Sequence, residues 1–145
     1  MRKDFVMRGQ TASEGTEVLN FSGFKPGYAF RMVEFQIYQS LGIGATTVEL
    51  CASVTAAKTA EDPENPNFNN DGLIAVASFY RFESSNQPQS IVNDTFLITQ
   101  NLILKVKDTH TSATPINWQC RFVAEKVNTA EGAVANYKQF TISDG

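Results

Sequence analysis

Histidine, cysteine and clusters of basic residues are scarce in this sequence, and their scarcity excludes several kinds of chemistry. Among 145 residues there is one histidine, His110, within the polar run 108–112. A zinc site needs several converging His, Cys or carboxylate ligands, and a catalytic triad needs a histidine beside its nucleophile. No Gly-x-Ser-x-Gly motif accompanies His110. We therefore predict no enzyme activity, no catalytic residue, no metal site and no cofactor, and we place His110 on a surface loop.

Positive charge is too sparse and too scattered for binding a phosphate backbone. The 12 basic and 15 acidic residues give a net charge of −3, and Lys and Arg form no cluster. This pattern predicts no nucleic-acid partner. The basic first residues are not followed by an apolar stretch, so we expect no secretory signal. No run approaches the roughly 20 apolar residues of a membrane helix, which predicts a soluble chain without a membrane partner.

The two cysteines, Cys51 and Cys120, lie far apart and match no metal-ligand spacing. Each falls in a strand-like run. Without an export signal we expect both to be buried, reduced thiols. A disulfide between them stays open at this point, because two strands of a sandwich can bring distant cysteines together.

Aromatic and β-branched residues are abundant, and they alternate with polar residues. The sequence has 11 Phe and 4 Tyr, which suit half-buried strands. Alternation is clearest over residues 33–38, 48–55, 102–107 and 118–125, with Val33, Phe35 and Ile37 expected on one face. Weaker runs cover residues 4–8, 17–22, 73–82 and 94–99, and turn signals fall at 22–27, 41–44, 62–72, 84–88 and 108–115. The pattern predicts one domain over residues 1–145, an antiparallel, jelly-roll-like β-sandwich of about eight strands.

One stretch near the end of the sequence is typical of a helix rather than a strand. Over residues 129–140, Thr129 can cap the first turn, and Val134, Tyr137 and Phe140 share a stripe. Gly132 weakens this interpretation. We predict either a short helix or a single docking turn.

The most polar segment, residues 62–72, resembles a metal-binding loop in part, but its residues at the ligand positions do not favour a metal site. Residues 67–72 resemble the start of a calcium loop, but Asn67 stands where Asp is usual, and Ser78 stands where a bidentate Glu is needed. Turn formation by Asn, Asp and Gly explains the segment without a cation. A pair of carboxylates for glycoside hydrolysis is not indicated either, since the acidic residues on strand faces are scattered: Glu34, Glu49, Asp94 and Glu125.

Loop residues are the remaining candidates for binding. Phe24 and Tyr28 flank a Pro-Gly turn, and Phe68 lies in the polar loop, where an exposed ring can stack on a sugar or anchor a protein interface. The alternative is that these rings cap the ends of the core. Other aromatic residues are expected in the core or between the sheets, namely Phe79, Tyr80, Phe82 and Phe96. The full set of candidate contact residues is Phe24, Tyr28, Phe68, Asn69, Asn70, Tyr137 and Phe140.

Three runs, residues 33–38, 93–102 and 116–122, together resemble small structural proteins of marine tailed bacteriophages, including cyanophages, of the capsid-decoration kind. The resemblance implies a non-enzymatic virion protein, made in the host cytoplasm, that binds the major capsid protein or other virion proteins and self-associates as a dimer or trimer. Two alternatives stay open. One is a component of the tail or the head–tail junction, and the other is a carbohydrate-binding sandwich that uses Phe24, Tyr28 and Phe68.

Overall fold

A computed structural model describes residues 3–24, 27–40, 47–56, 60–83, 85–110 and 115–126. All regular structure in these ranges is β, in eight strands that form two antiparallel sheets. The smaller sheet has the order β1-β8-β3, with β1 Lys3–Thr11, β8 Ile116–Lys126 and β3 Tyr28–Gln39. The larger sheet has the order β2-β7-β4-β5-β6, with β2 Thr16–Leu19, β7 Leu102–Asp108, β4 Thr47–Thr55, β5 Leu73–Phe82 and β6 Ser85–Val92.

The core lies between the two sheets, where every second residue of the inner strands is buried. In the smaller sheet the apolar side chains of Trp118, Cys120 and Phe122 all face inward. The alternation predicted for β4, β7 and β8 is therefore confirmed, as is the β-sandwich. The fold follows from this pattern, because each sheet has one apolar face that has to be covered by the other.

The strand order is that of a jelly roll with one strand displaced. A jelly roll has two sheets that face each other. One has the strand order β1-β8-β3-β6 and the other has the order β2-β7-β4-β5. Here β6 pairs with β5 in a tight hairpin and joins the larger sheet. As a result, among the described strands, β3 is the edge of the smaller sheet and β6 is the nearby edge of the larger one.

The predicted number of strands is confirmed, but one of the predicted strands is wrong. Residues 94–99 form no strand; only Ile98 makes an isolated bridge, to Phe30, after Asn93 has closed a turn with Thr95. The eighth strand is β6, which was expected to begin as a turn. Its residues are almost all exposed and it carries Pro88, so neither alternation nor composition marks it. Proline is tolerated there because β6 lies at a sheet edge.

Three further side chains depart from prediction. A β-bulge between Met32 and Glu34 turns Val33 outward, so Val33 is exposed although Phe35 and Ile37 are buried. Tyr80 and Phe82 were expected in the core, but they lie exposed on the outer face of β5, whereas Phe79 is buried. The predicted helix over 129–140 lies outside the described residues. No helix in the described part of the chain is long and apolar enough to span a membrane.

Candidate functional site

The polar loop over residues 60–72 lies across the outer face of the larger sheet and is organised by its own side chains. The Glu61 carboxylate accepts hydrogen bonds from the Asn67 backbone N–H at 3.0 Å and the Asn70 side-chain amide at 2.7 Å. Asn67 and Asn70 in turn accept from the N–H groups two residues further on. Ser53 Oγ donates to the Glu61 carbonyl at 2.7 Å. The side-chain oxygens of Asn67 and Asn70 are therefore occupied in closing turns.

Charge pairs connect this loop to the sheet beneath it. Lys107 of β7 contacts the Glu64 carboxylate and lies 3.5 Å from that of Glu14. The hydrogen bond to Glu64 is the main reason why the pKa of Lys107 is raised. The pKa of Asp62 is lowered because its carboxylate accepts hydrogen bonds from the Glu64 backbone and the Asn65 side chain. These exposed charges position the loop and add little stability each.

The cysteines lie on different sheets and both are free thiols. Cys120 points into the core, and its burial raises its pKa. Cys51 lies on the outer face of β4 beneath the polar loop, where it is half-buried rather than fully buried as predicted. Burial first, and then the nearby Glu64 and Asp62 carboxylates, raise the pKa of Cys51 to about 11. Neither thiol has the lowered pKa of a nucleophile.

The structure shows the surroundings of His110 and of two of the scattered carboxylates. His110 is exposed, and its backbone N–H bonds the carboxylate of buried Asp108. Two of the scattered carboxylates face arginines instead of each other: Glu34 lies 3.9 Å from Arg121, and Glu125 lies 3.4 Å from Arg31. No group of three or more His, Cys, Asp or Glu side chains converges in the part of the chain that the structure describes.

Phe24 belongs to a cluster of rings at the end of the sandwich where β1 and β3 begin. Its ring centroid lies 4.7 Å from that of Phe30, 4.9 Å from Phe5 and 5.9 Å from Phe21. The cluster packs on buried Phe122. Phe24 therefore packs against the end of the core, while its side chain stays 40% exposed. Tyr28 is exposed, and neither it nor Phe68 has a described ring contact with this cluster.

The outer face of β5 and β6 is apolar and almost uncharged. We call it the β5–β6 face, and it consists of Val76, Tyr80 and Phe82 of β5, Ile91 of β6 and Phe68 of the polar loop. Phe68 and Ile91 are each 59% exposed and line one shallow depression. Between these side chains lie Gln87 and Gln89. Asn69 is exposed beside this face, and Asn70 is held inward by Glu61.

A groove of about 520 Å³ lies between β3, which is the edge strand of the smaller sheet among the described residues, and the inner side of β6, and we call it the β3–β6 groove. One side is formed by residues 35–38 of β3 together with Trp118, and the other by Asn86, Pro88 and Ser90. Ser90 is paired with buried Ala77, so its side chain faces the space between the sheets. Arg8 is the one charged residue among the described residues that line it.

The sequence interpretation found one end of the β5–β6 face, through Phe68, and missed the groove. The structure brings Phe68 and Asn70 together with Ile91, but it places Phe24 in a separate cluster. Tyr137 and Phe140 lie outside the described residues. The groove could not be anticipated, because it depends on which sheet β6 joins.

Comparison with known proteins identifies no family. No protein-family model matches the chain, and no curated protein matches it. A solved structure from Bacillus, of endospore appendages that form a family of disulfide-linked pili, is similar at a TM-score of 0.37 and 6% identity, over 88% of each chain. A likeness at that score carries no argument about function.

Proposed function

We propose that this chain is a non-enzymatic structural protein that joins a larger assembly through the β5–β6 face, most specifically as a capsid decoration protein on a phage shell. The observation that carries the proposal is the composition of this face. Four large apolar side chains are exposed on or beside two neighbouring strands: Phe68, Tyr80, Phe82 and Ile91. Between them Gln87 and Gln89 contribute uncharged amides. Asp71 lines the depression beside Phe68 and Ile91, and Glu49, opposite Tyr80 on β4, stands at the border.

Such a surface has the features of a protein–protein contact. Interface cores are enriched in aromatic residues and depleted of charge, and contiguous exposed apolar patches on a protein often mark contact sites. The β5–β6 face is also presented by paired strands, which hold the side chains in fixed positions. A capsid lattice offers many copies of one binding site, so modest contacts are multiplied by multivalency and stabilise the assembled state. The resemblance of residues 33–38, 93–102 and 116–122 supports the choice of a virion.

The test is co-sedimentation of the purified chain with empty phage capsids. Ile91→Ser should weaken binding by about fivefold or more, since loss of a well-packed apolar contact at an interface costs about 1 kcal/mol or more. Val18→Ser is the matched control, because Val18 is 62% exposed on β2, the opposite edge of the same sheet. The control should bind like the parent. Equal binding by the two variants, or no binding of any shell by the parent, would contradict the proposal.

The carbohydrate alternative has less support. It needs several exposed rings on one binding surface, whereas Phe24 packs in the aromatic cluster and Phe68 lines a different depression. Retention of the parent on a glycan array, abolished by Phe68→Ala, would favour it over capsid binding.

A further inference from the structure

The outer face of the smaller sheet carries two adjacent rows of hydrogen-bonding side chains at one end. Each row crosses all three strands, and directly paired residues point to the same side of a sheet. Trp118, between the two β8 members, points inward and is buried, so both rows face outward. We call this set the amide platform, and its members are Arg8, Gln119 and Gln36 in one row and Gln10, Asn117 and Tyr38 in the other. It is about 10 Å across, since neighbouring strands lie about 4.8 Å apart.

The amide platform has one cation and no carboxylate, unlike the rest of the same sheet face. In the next row Arg121 lies 3.9 Å from Glu34, and further along the sheet Arg31 lies 3.4 Å from Glu125. Arg8 has no acidic partner among the residues that the structure describes. Its exposed guanidinium is therefore available to an anionic group from outside the chain.

Part of the platform is held in place by contacts within the protein. The Asn117 side chain donates a hydrogen bond to the Gln39 carbonyl at 3.4 Å and accepts one from Gln10 at 3.0 Å. The Tyr38 ring is 52% exposed, and its centroid lies 5.3 Å from that of Phe79 in the other sheet. Because this ring packs across the gap between the sheets, a ligand has to lie on the outer face. Groups that are already positioned lose less entropy when a ligand binds.

This chemistry fits a sugar better than a protein or a nucleic acid. An amide side chain has both donors and an acceptor, so it can bond hydroxyl groups in either direction. A protein contact would be expected to have an apolar centre like that of the β5–β6 face, and a phosphate backbone would need several cations. One guanidinium matches one carboxylate, and an exposed tyrosine ring offers an apolar surface to the C–H groups of a sugar ring.

We infer that the amide platform binds a glycan that contains a uronic acid. Arg8 holds the carboxylate through paired hydrogen bonds, the amides bond the hydroxyl groups, and Tyr38 stacks on a sugar ring. This site works through hydrogen bonds and a single ring, so it differs from a site built on several loop rings. The inference goes beyond the proposed function. The platform and the β5–β6 face lie on opposite outer faces of the sandwich, so both can be occupied at once.

A glycan array tests the inference, with uronic acids of several configurations and, for each glycan, a counterpart in which the carboxylate is reduced to an alcohol. The parent chain should be retained by at least one uronate glycan, and at least about tenfold more weakly by its reduced counterpart, since a hydrogen bond to a charged group is lost. Arg8→Gln should bind the two equally. Gln36→Ala/Gln119→Ala should bind both at least about tenfold more weakly than the parent.

Two control variants lie on the larger sheet. Lys105→Gln removes one positive charge from the outer face of β7, and Thr16→Ala removes an exposed polar side chain from β2. Both should be retained like the parent. An NMR titration with the best-retained oligosaccharide locates the site: backbone amide signals of residues 36–38 and 117–119 should shift, and those of β2 and the polar loop should not.

Four outcomes would overturn the inference. They are no retention of any glycan, equal retention of a uronate glycan and its reduced counterpart, platform variants that bind like the parent, and shifts confined to residues 60–72 with retention lost in Phe68→Ala. None of them bears on the capsid, because Ile91→Ser tests that contact separately. Conversely, a chain that binds no shell but retains uronate glycans through the platform would contradict the proposed function alone.

Discussion

Replacing Gly9 with alanine tests how closely β1 packs against the Trp118 ring in the smaller sheet. Gly9 of β1 pairs with Trp118 of β8. A Cβ atom at Gly9 would lie 2.9 Å from Cζ2 of the indole ring. The ring has little freedom to move away, because it is buried and its Nε1 donates a hydrogen bond to Thr11 Oγ1 at 2.9 Å. The methyl group therefore has to displace the ring or the strand.

Two opposing contributions decide the sign of the effect. Alanine is favoured over glycine within a strand by roughly 0.5–1 kcal/mol, because glycine loses more backbone entropy on folding. Overpacking a close-packed site costs typically about 1–3 kcal/mol. The overpacking cost is the larger, so Gly9→Ala should lower the free energy of unfolding by about 1 kcal/mol. With a urea m-value of about 2 kcal/mol/M, the midpoint should fall by about 0.5 M.

Urea denaturation followed by fluorescence measures this directly, since Trp118 is the sequence's one tryptophan. Gly23→Ala is the matched control, because a Cβ atom there meets nothing within 4 Å and the backbone is not in the left-handed region. It should be neutral or stabilising by up to about 1 kcal/mol. Equal midpoints for the two variants, or a stabilised Gly9→Ala, would refute the packing described for the ring.

Three further predictions concern other parts of the fold. Thr11→Val leaves the Trp118 Nε1–H without its acceptor and should cost about 1–3 kcal/mol in thermal or urea unfolding; an unchanged stability would mean that the bond is not formed. Glu61→Gln weakens the two hydrogen bonds that close the polar loop and should cost about 1 kcal/mol, with faster proteolysis within residues 62–72; unchanged cleavage would contradict the role given to this carboxylate. With its pKa raised to about 11, Cys51 should react slowly with a thiol reagent at pH 8, and its rate should rise steeply up to pH 10. Cys120 is buried and should react only when the protein unfolds. Rapid reaction of both thiols at pH 8 would contradict this arrangement.

The sandwich was predictable from the sequence because most of its strands have one buried face. Alternation over β4, β7 and β8 reports that face directly, and the buried side chains follow it. The alternation of apolar and polar residues is lost in a strand that has no buried face. In β6 nearly every side chain is exposed, so the strand is held by its hydrogen bonds to β5, which leave no periodic trace in the sequence.

Local backbone events explain the smaller errors. A single bulged residue, Val33, reverses the side of the sheet to which its side chain points, and no pattern in the sequence marks it. Residues 94–99 have the composition of a strand, but Asn93 begins a turn there and Ile98 pairs alone. Composition reports what a segment can form, whereas pairing partners decide what it does form.

The candidate site was predictable only in part. Phe68 was considered as a binding residue because it is apolar within a polar loop, and its ring is exposed. Tyr80 and Phe82 were assigned to the core because nothing in the sequence distinguishes an apolar outer face from an inner one. The β3–β6 groove depends on the pairing of β6 with β5 rather than β3, which is a matter of topology.

An image of the assembled virion at subunit resolution tests the central claim most directly. We expect this sandwich on the outer surface of the shell, with the β5–β6 face, including Tyr80, Phe82 and Ile91, turned toward the major capsid protein. A β5–β6 face turned to solvent, or the chain located in the tail or missing from the particle, would contradict the account.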